Sequence, residues 1–141
     1  MGYNIYITRK EHWGDFGGIM ITEDDWSALV DADPELRWNE ENGLYNALWG
    51  QGYHETPFWY DWDYGIIETK NPTRKGLQKM YTMADALNAK VQGEAGEYYD
   101  ERGIQEDISD EEYFAPTPKL PPEPPPAWMK FLRRVFLGKK R

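Results

Sequence analysis

Phe58-Trp59-Tyr60-Asp61-Trp62, Asp63-Tyr64-Gly65 and Ile66-Ile67-Glu68-Thr69-Lys70 run directly into Asn71-Pro72 and a segment carrying Leu77, Met80, Tyr81, Ala84 and Leu87. The first and third blocks are rich in aromatic and β-branched residues, and Asp63-Tyr64-Gly65 supplies turn residues between them. This reads as a strand, a turn and a partner strand. The apolar residues after Pro72 then recur every three or four positions, which makes one face of a helix. Asn71 is read as its cap and Pro72 as its first turn, where a missing N–H costs nothing. Gly76 weakens this helix without defeating it.

The pattern extends on both sides. Upstream, Tyr3, Ile5 and Ile7 alternate with Asn4, Tyr6 and Thr8, a first strand. Thr22 stands as an N-cap with Asp25 in the capping-box position, and Trp26, Leu29 and Val30 share a helix face that Pro34 ends. Asn42-Gly43 signals a hairpin between Trp38 and Leu44-Tyr45-Asn46-Ala47-Leu48-Trp49. Downstream, Lys90-Val91-Gln92-Gly93 reads as a last short strand. The expected class is α+β, with about five strands in a mainly antiparallel sheet and two helices on one face.

Charge divides the chain more sharply than secondary structure does. Residues 1–118 hold 9 basic and 24 acidic side chains, a net of −15, and residues 119–141 hold 7 basic and 1 acidic, a net of +6. Four segments are expected. Residues 1–99 form the acidic, Trp-rich domain and residues 100–115 a poorly packed acidic flank. Residues 116–126 are a Pro-rich linker, and residues 127–141 a basic amphipathic helix. Aromatics make up 16% of the chain, which disordered chains rarely reach, so the body is expected to fold.

The linker places Pro116, Pro118, Pro121, Pro122, Pro124, Pro125 and Pro126 close together, a composition suited to polyproline II. At about 3.1 Å per residue it spans roughly 30 Å. After it, Trp128, Phe131, Leu132, Val135 and Phe136 fall on one helical stripe, with Lys130, Arg133 and Arg134 on the other side. So short a helix barely forms alone, and something must cover the stripe. A membrane surface with anionic lipid, a groove on a partner protein and the chain's own acidic body are the three candidates.

The acidic flank supplies the other candidate site. Asp100, Glu101, Glu106, Asp107, Asp110, Glu111 and Glu112 would form either a solvated face or a docking face for a basic partner. Ser109 is a candidate cap for a short helix holding Glu112, Tyr113 and Phe114. The body's net charge opposes nucleic-acid binding, and no nucleic-acid partner is expected.

Enzymatic readings find little to stand on. The chain has no Cys, which excludes disulfides, thiolate zinc sites and thiol catalysis. His12 and His54 show no metal-ligand spacing, so neither metal nor cofactor is expected. No nucleophile motif is present and no catalytic residue is assigned. The enzymatic alternative is a small hydrolase with His54 and carboxylates in a Trp-lined cleft. A sugar stacked on Trp59, Trp62 and Tyr64 would be one form of it. The opening Met1-Gly2-Tyr3-Asn4-Ile5 lacks a basic region before an apolar core, so no signal peptide is expected. No apolar run reaches the length of about 20 residues that spans a bilayer.

Three stretches carry a resemblance. Met1-Gly2-Tyr3-Asn4-Ile5-Tyr6-Ile7-Thr8-Arg9-Lys10, Ile21-Thr22-Glu23-Asp24-Asp25-Trp26 and Val91-Gln92-Gly93-Glu94-Ala95-Gly96-Glu97 resemble small bacterial immunity proteins associated with secreted toxins, of polymorphic, contact-dependent or type VI kinds. The resemblance covers residues 1–99. It implies an inhibitor that binds a toxin in the cytoplasm and does no chemistry, and the chain's acidic surface adds the expectation that the toxin domain is basic. Many such proteins lack a basic amphipathic tail, and the tail adds peripheral contact with the inner membrane to the expectation. A membrane-tethered adaptor unrelated to toxins is a further alternative.

Overall fold

The computed structural model describes residues 2–52, 55–109 and 111–112. Residues 1–106 form one compact unit and residues 107–141 a second. In the first, the chain runs β1 (Asn4–Thr8), α1 (Glu23–Ala32), β2 (Leu36–Trp38), a single 3-10 turn (Glu40–Asn42), β3 (Ala47–Trp49), β4 (Thr56–Asp61), β5 (Ile66–Lys70), α2 (Arg74–Ala86), β6 (Lys90–Gly93) and β7 (Tyr98–Tyr99). The strands make one sheet in the order β2-β3-β4-β5-β1-β6-β7, and every neighbouring pair is antiparallel. The class is α+β as expected, with seven strands in place of about five.

Period-two alternation sets the two faces of this sheet. Ile5, Ile7, Phe58, Tyr60, Ile67 and Val91 point to the side where Trp26 and Val30 of α1 pack with Leu77, Met80, Met83 and Ala84 of α2. Trp26 and Phe58 are fully buried. Each large apolar side chain so buried contributes about 1.5–3 kcal/mol before ordering costs. The opposite positions form a row across five strands. Trp59 lies opposite Glu68, Glu68 opposite Tyr6, Tyr6 opposite Gln92, and Gln92 opposite Tyr98.

Helix α1 begins as its sequence indicates: the Thr22 hydroxyl accepts from the Asp25 backbone N–H at 3.1 Å. Glu23, Asp24 and Asp25 fill its first turn, where negative charge meets the positive end of the helix dipole. Helix α2 corrects the expected cap. Thr73 caps it by accepting from the Gly76 N–H at 3.1 Å. Asn71 instead takes a positive φ of 50° and exchanges bonds with Tyr3, closing β5 onto β1. Tyr81, expected on the apolar face of α2, is exposed, and Met83 occupies the core position.

The hairpin expected at Asn42-Gly43 is also corrected. Asn42 ends the 3-10 turn and Gly43, at φ 117°, leaves it. β2 and β3 pair across the longer connection 39–46, which a bond from Asn39 N–H to the Asn46 carbonyl closes at 2.8 Å. Packing favours this longer loop: Trp26 donates its indole N–H to the Tyr45 carbonyl at 2.9 Å, and Trp38 packs edge-on against both rings. β4 ends at Asp61, so Trp62 belongs to the turn. That turn closes through Gly65 N–H to the Asp61 carbonyl at 2.8 Å.

The segment after residue 99 is packed through Glu106, which corrects the expectation of a loose flank beginning at residue 100. Ile104 is completely buried, and bonds from Asp100 N–H to the Ile104 carbonyl and from Glu106 N–H to the Tyr98 carbonyl tie the segment to β7. In the second unit, the Ser109 hydroxyl accepts from Glu112 N–H at 3.1 Å, the cap read from the sequence. The Pro-rich linker and the C-terminal helix lie outside the described residues. Among the described residues no helix is long and apolar enough to cross a membrane.

Candidate interaction surface

The acidic flank divides into unlike members. Asp100 is buried, and its carboxylate takes the Arg102 guanidinium at 2.5 and 2.9 Å and the Arg102 N–H at 2.9 Å. Burial pushes this carboxyl up, but the Arg102 bonds outweigh it and hold it below the usual range. Asp100 therefore serves the fold. Glu101, Glu106, Asp107, Glu111 and Glu112 are exposed. Glu106 stands at the mouth of a cleft of about 410 Å³ between α2 and β6–β7, with Tyr81, Asp85, Lys90, Tyr98 and Tyr99. Asp110 lies outside the described residues, as do His54 and the tail residues Trp128, Lys130, Phe131, Leu132, Arg133, Arg134, Val135 and Phe136.

The other sequence candidates do not converge. His12 turns its Nδ1 back to accept from Gly14 N–H at 3.0 Å, a loop contact. Among the described residues no group of His, Asp and Glu could hold a metal ion. Trp59 lies on the sheet face away from the helices, whereas Trp62 packs edge-on against Tyr60 and Tyr45 on the helix side. Tyr64 stacks instead with Phe16. The three aromatics proposed to stack on a sugar thus do not line one cleft.

A different surface emerges from the loop between β1 and α1 and the turn between β4 and β5. Phe16 is 90% exposed, Ile19 70%, Trp62 45% and Met20 39%. Phe16 lies on Tyr64 with ring centroids 5.5 Å apart. Met20 rests against Gly65, where an added Cβ would come within 2.3 Å of the Met20 Cβ. With Tyr60 and Trp62 it lines a shallow depression that also takes in Thr22, Glu23 and Asp24. Met20 and Trp62 share that depression, and Phe16 lines a second one with Lys10, Glu11 and Asp15; exposed apolar groups bordered by polar residues in this way make a candidate contact surface.

The loop is held open by polar bonds. Arg9 donates to the Leu87 carbonyl at 2.8 Å and the Met20 carbonyl at 3.2 Å, and pairs with Asp25 at 2.8 Å. Lys10 is buried, donates to the Asp15 carbonyl at 2.5 Å and lies 5.2 Å from the Tyr64 ring centroid. Ile21 N–H bonds the Gly65 carbonyl at 2.9 Å, and the Tyr60 hydroxyl donates to the Ile21 carbonyl at 2.7 Å. These bonds hold the loop at Asp15, Met20 and Ile21, on either side of the exposed Phe16 and Ile19.

The rim is acidic. Asp15, Asp24 and Asp63 are exposed, and Glu23 and Asp61 are part-exposed. Trp62 donates its indole N–H to Glu23. Arg9 is paired with Asp25, and the carboxylates Asp15, Glu23, Asp24, Asp61 and Asp63 outnumber Lys10, so the charge balance here is negative. Burial, and then the charges of Glu23, Asp61 and Asp25, raise the Tyr60 phenol above its ordinary value. Sequence reasoning missed this surface because Phe16 and Trp62 are far apart in the chain. The only local sign was apolar Phe16, Ile19 and Met20 in a glycine-rich loop with no period.

No protein-family model matches the chain, and neither a curated protein nor a solved structure matches it.

Proposed function

We propose that this chain is a non-enzymatic binding protein, an immunity-type inhibitor that engages a basic toxin domain in the bacterial cytoplasm. The observation that carries the reading is the exposure of Phe16, Ile19, Met20 and Trp62 on the β1–α1 loop and the β4–β5 turn, beside the carboxylates Asp15, Glu23, Asp24 and Asp63. Aromatic anchors at the centre and charge at the edge are the usual division of labour in protein recognition. Negative rim charge steers a basic partner in and rejects acidic ones. The exposed carboxylates Glu101, Glu106, Asp107, Glu111 and Glu112 extend the same preference.

The tail adds attachment. Its stripe of Trp128, Phe131, Leu132, Val135 and Phe136 beside Lys130, Arg133 and Arg134 suits the surface of an anionic membrane, where each basic residue contributes about 1 kcal/mol. The charge of the body need not oppose this: the Debye length is about 8 Å in physiological salt, and residues 116–126, in the polyproline II form their sequence suits, would span about 30 Å.

Co-purification from the native host tests the binding reading. It expects a stoichiometric protein partner of high isoelectric point whose toxic activity the chain suppresses. An acidic partner, or turnover of a small substrate by the chain alone, would overturn it.

A further inference from the structure

The sheet face away from the helices is only partly roofed. Over β1, β6 and β7 the loop after β1 closes it. Trp13 stacks on Tyr6 with centroids 4.2 Å apart, Gln92 accepts from the Trp13 N–H at 2.8 Å, and Tyr98 donates to the Glu11 carbonyl at 2.8 Å. Over β3, β4 and β5 the outward residues Leu48, Pro57, Trp59 and Glu68 remain part-exposed. A solvated sheet face normally carries polar side chains, yet Leu48 pairs directly with Pro57, and Trp59 stands one outward position further along β4.

Glu68 sits on β5, at the border of this half-sheet with the roofed half, between Trp59 on β4 and Tyr6 on β1. Such directly opposed side chains lie about 4.5–5.5 Å apart at Cβ. Among the described residues no hydrogen bond or ion pair reaches its carboxylate. Burial first, and Asp61 second, raise its carboxyl above the ordinary value. Of the face's own cations, Arg37 pairs with Glu55 at 2.7 Å and bonds the Gly50 carbonyl. Lys70, whose stem lies against Gly2, attracts Glu68 from a distance, more weakly than burial and Asp61 act on it, and makes no ion pair with it. A part-desolvated carboxylate beside an indole, with a second carboxylate near it, lacks one complement: a planar cation.

We propose that this half-sheet docks a basic protein segment and that Glu68 receives an arginine side chain from it, the guanidinium lying on the Trp59 ring. Arginine fits better than lysine because its flat, forked donors can bond a carboxylate in two places while stacking on an aromatic face. Leu48 and Pro57 would cover the apolar stem beside it. The inference rests on the reading of the chain as a receptor for a basic partner and assigns it a second, distinct contact.

The test is a proton–nitrogen NMR titration of the full chain with a hexa-arginine peptide and, separately, a hexa-lysine peptide. The Trp59 indole N–H is expected to shift, and hexa-arginine to bind more tightly than hexa-lysine. Glu68→Gln should weaken hexa-arginine at least about fivefold, whereas Glu94→Gln, the same charge change at an exposed site, should leave it within about twofold. Trp59→Ala should abolish the arginine preference. An unmoved Trp59 indole in the wild type overturns the proposal whatever the variants do. So do equal losses from Glu68→Gln and Glu94→Gln, or self-association of the free chain through Trp59. A peptide lost on Phe16→Ala but kept on Glu68→Gln would leave the exposed cluster standing and sink this site alone.

Discussion

Lys79→Met probes how the second helix is fastened to the rest of the fold. The Lys79 ammonium bonds Asp33 and Glu35, each at 2.7 Å, and its side chain is only 8% exposed. It ties α2 to the corner between α1 and β2. Removing one member of a buried pair costs about 3–5 kcal/mol when the other charge is stranded. Here Asp33 keeps 17% of its side-chain exposure, so water relieves part of that penalty. Methionine keeps the packing of the lysine stem, which leaves about 2 kcal/mol for the loss of the Asp33 contact at neutral pH. Glu35 is an exposed carboxylate that water solvates equally well once Lys79 is gone. For a domain of this size each kcal/mol moves Tm by about 4–8 °C, so a fall of about 10 °C is expected by calorimetry.

The pH dependence gives this prediction a second edge. Burial raises Asp33, but its bonds to Lys79 and to the Glu35 N–H outweigh that, and the Lys79 bond lowers Glu35, so both carboxyls sit below their ordinary values. Groups depressed in the folded state contribute stability above their unfolded values and lose it as pH falls through the folded ones. Lys79 is raised once Asp33 and Glu35 outweigh burial, so its share is lost only as pH rises through its folded value, above 10.5. The wild-type advantage over Lys79→Met should therefore be full at pH 7 and shrink below about pH 4. Equal Tm values at pH 7, or a deficit unchanged in acid, would refute the assigned role.

Further outcomes follow from other parts of the fold. Ile104→Ala should cost about 2–5 kcal/mol in urea unfolding, because the residue is completely buried; a loss near zero would mean that the fold ends before it. Burial first and the bond to Glu97 second push the Tyr3 phenol up to about 12. Its proton is held in the folded state past the ordinary value of 10, so stability should fall as pH rises from 10 to 12, and Tyr3→Phe should flatten that leg of the Tm profile. Co-sedimentation with anionic vesicles should be strong for the full chain and lost for a chain ending at Pro118; equal binding by both would remove the membrane role from the tail.

Local pattern carried the elements whose determinants are local. Alternation in Tyr3–Thr8, the Thr22 cap and the three- and four-residue spacing from Leu77 to Leu87 all specify structure within a few residues. It failed where distant groups decide. Asn42-Gly43 fits a two-residue turn, but Trp26, Trp38 and Tyr45 pack only if the connection is longer. Asn71 and Thr73 are both good caps, and Asn71 is drawn off by Tyr3, 68 residues away in the chain. Between residues 100 and 106 the charges concealed a single decisive apolar residue, Ile104, and a carboxylate turned inward onto Arg102. The candidate surface was illegible for the same reason. The β1–α1 loop meets the β4–β5 turn only through contacts distant in sequence, Ile21 and Met20 with Gly65 and Phe16 with Tyr64.

The central claim is that the exposed aromatic cluster, and the negative rim around it, recognise a basic protein. Calorimetric titration of the captured native partner against the wild type, Phe16→Ala and Trp62→Ala, at low and at physiological salt, tests it most directly. Phe16 is 90% exposed, so Phe16→Ala should melt close to the wild type, whereas Trp62→Ala also loses its contacts with Tyr45, Tyr60 and Glu23 and should melt somewhat lower. Trp62→Ala should weaken binding by about 2 kcal/mol, roughly 30-fold, and added salt should weaken the wild type further. Undiminished affinity in both variants, or binding indifferent to salt, would contradict the account.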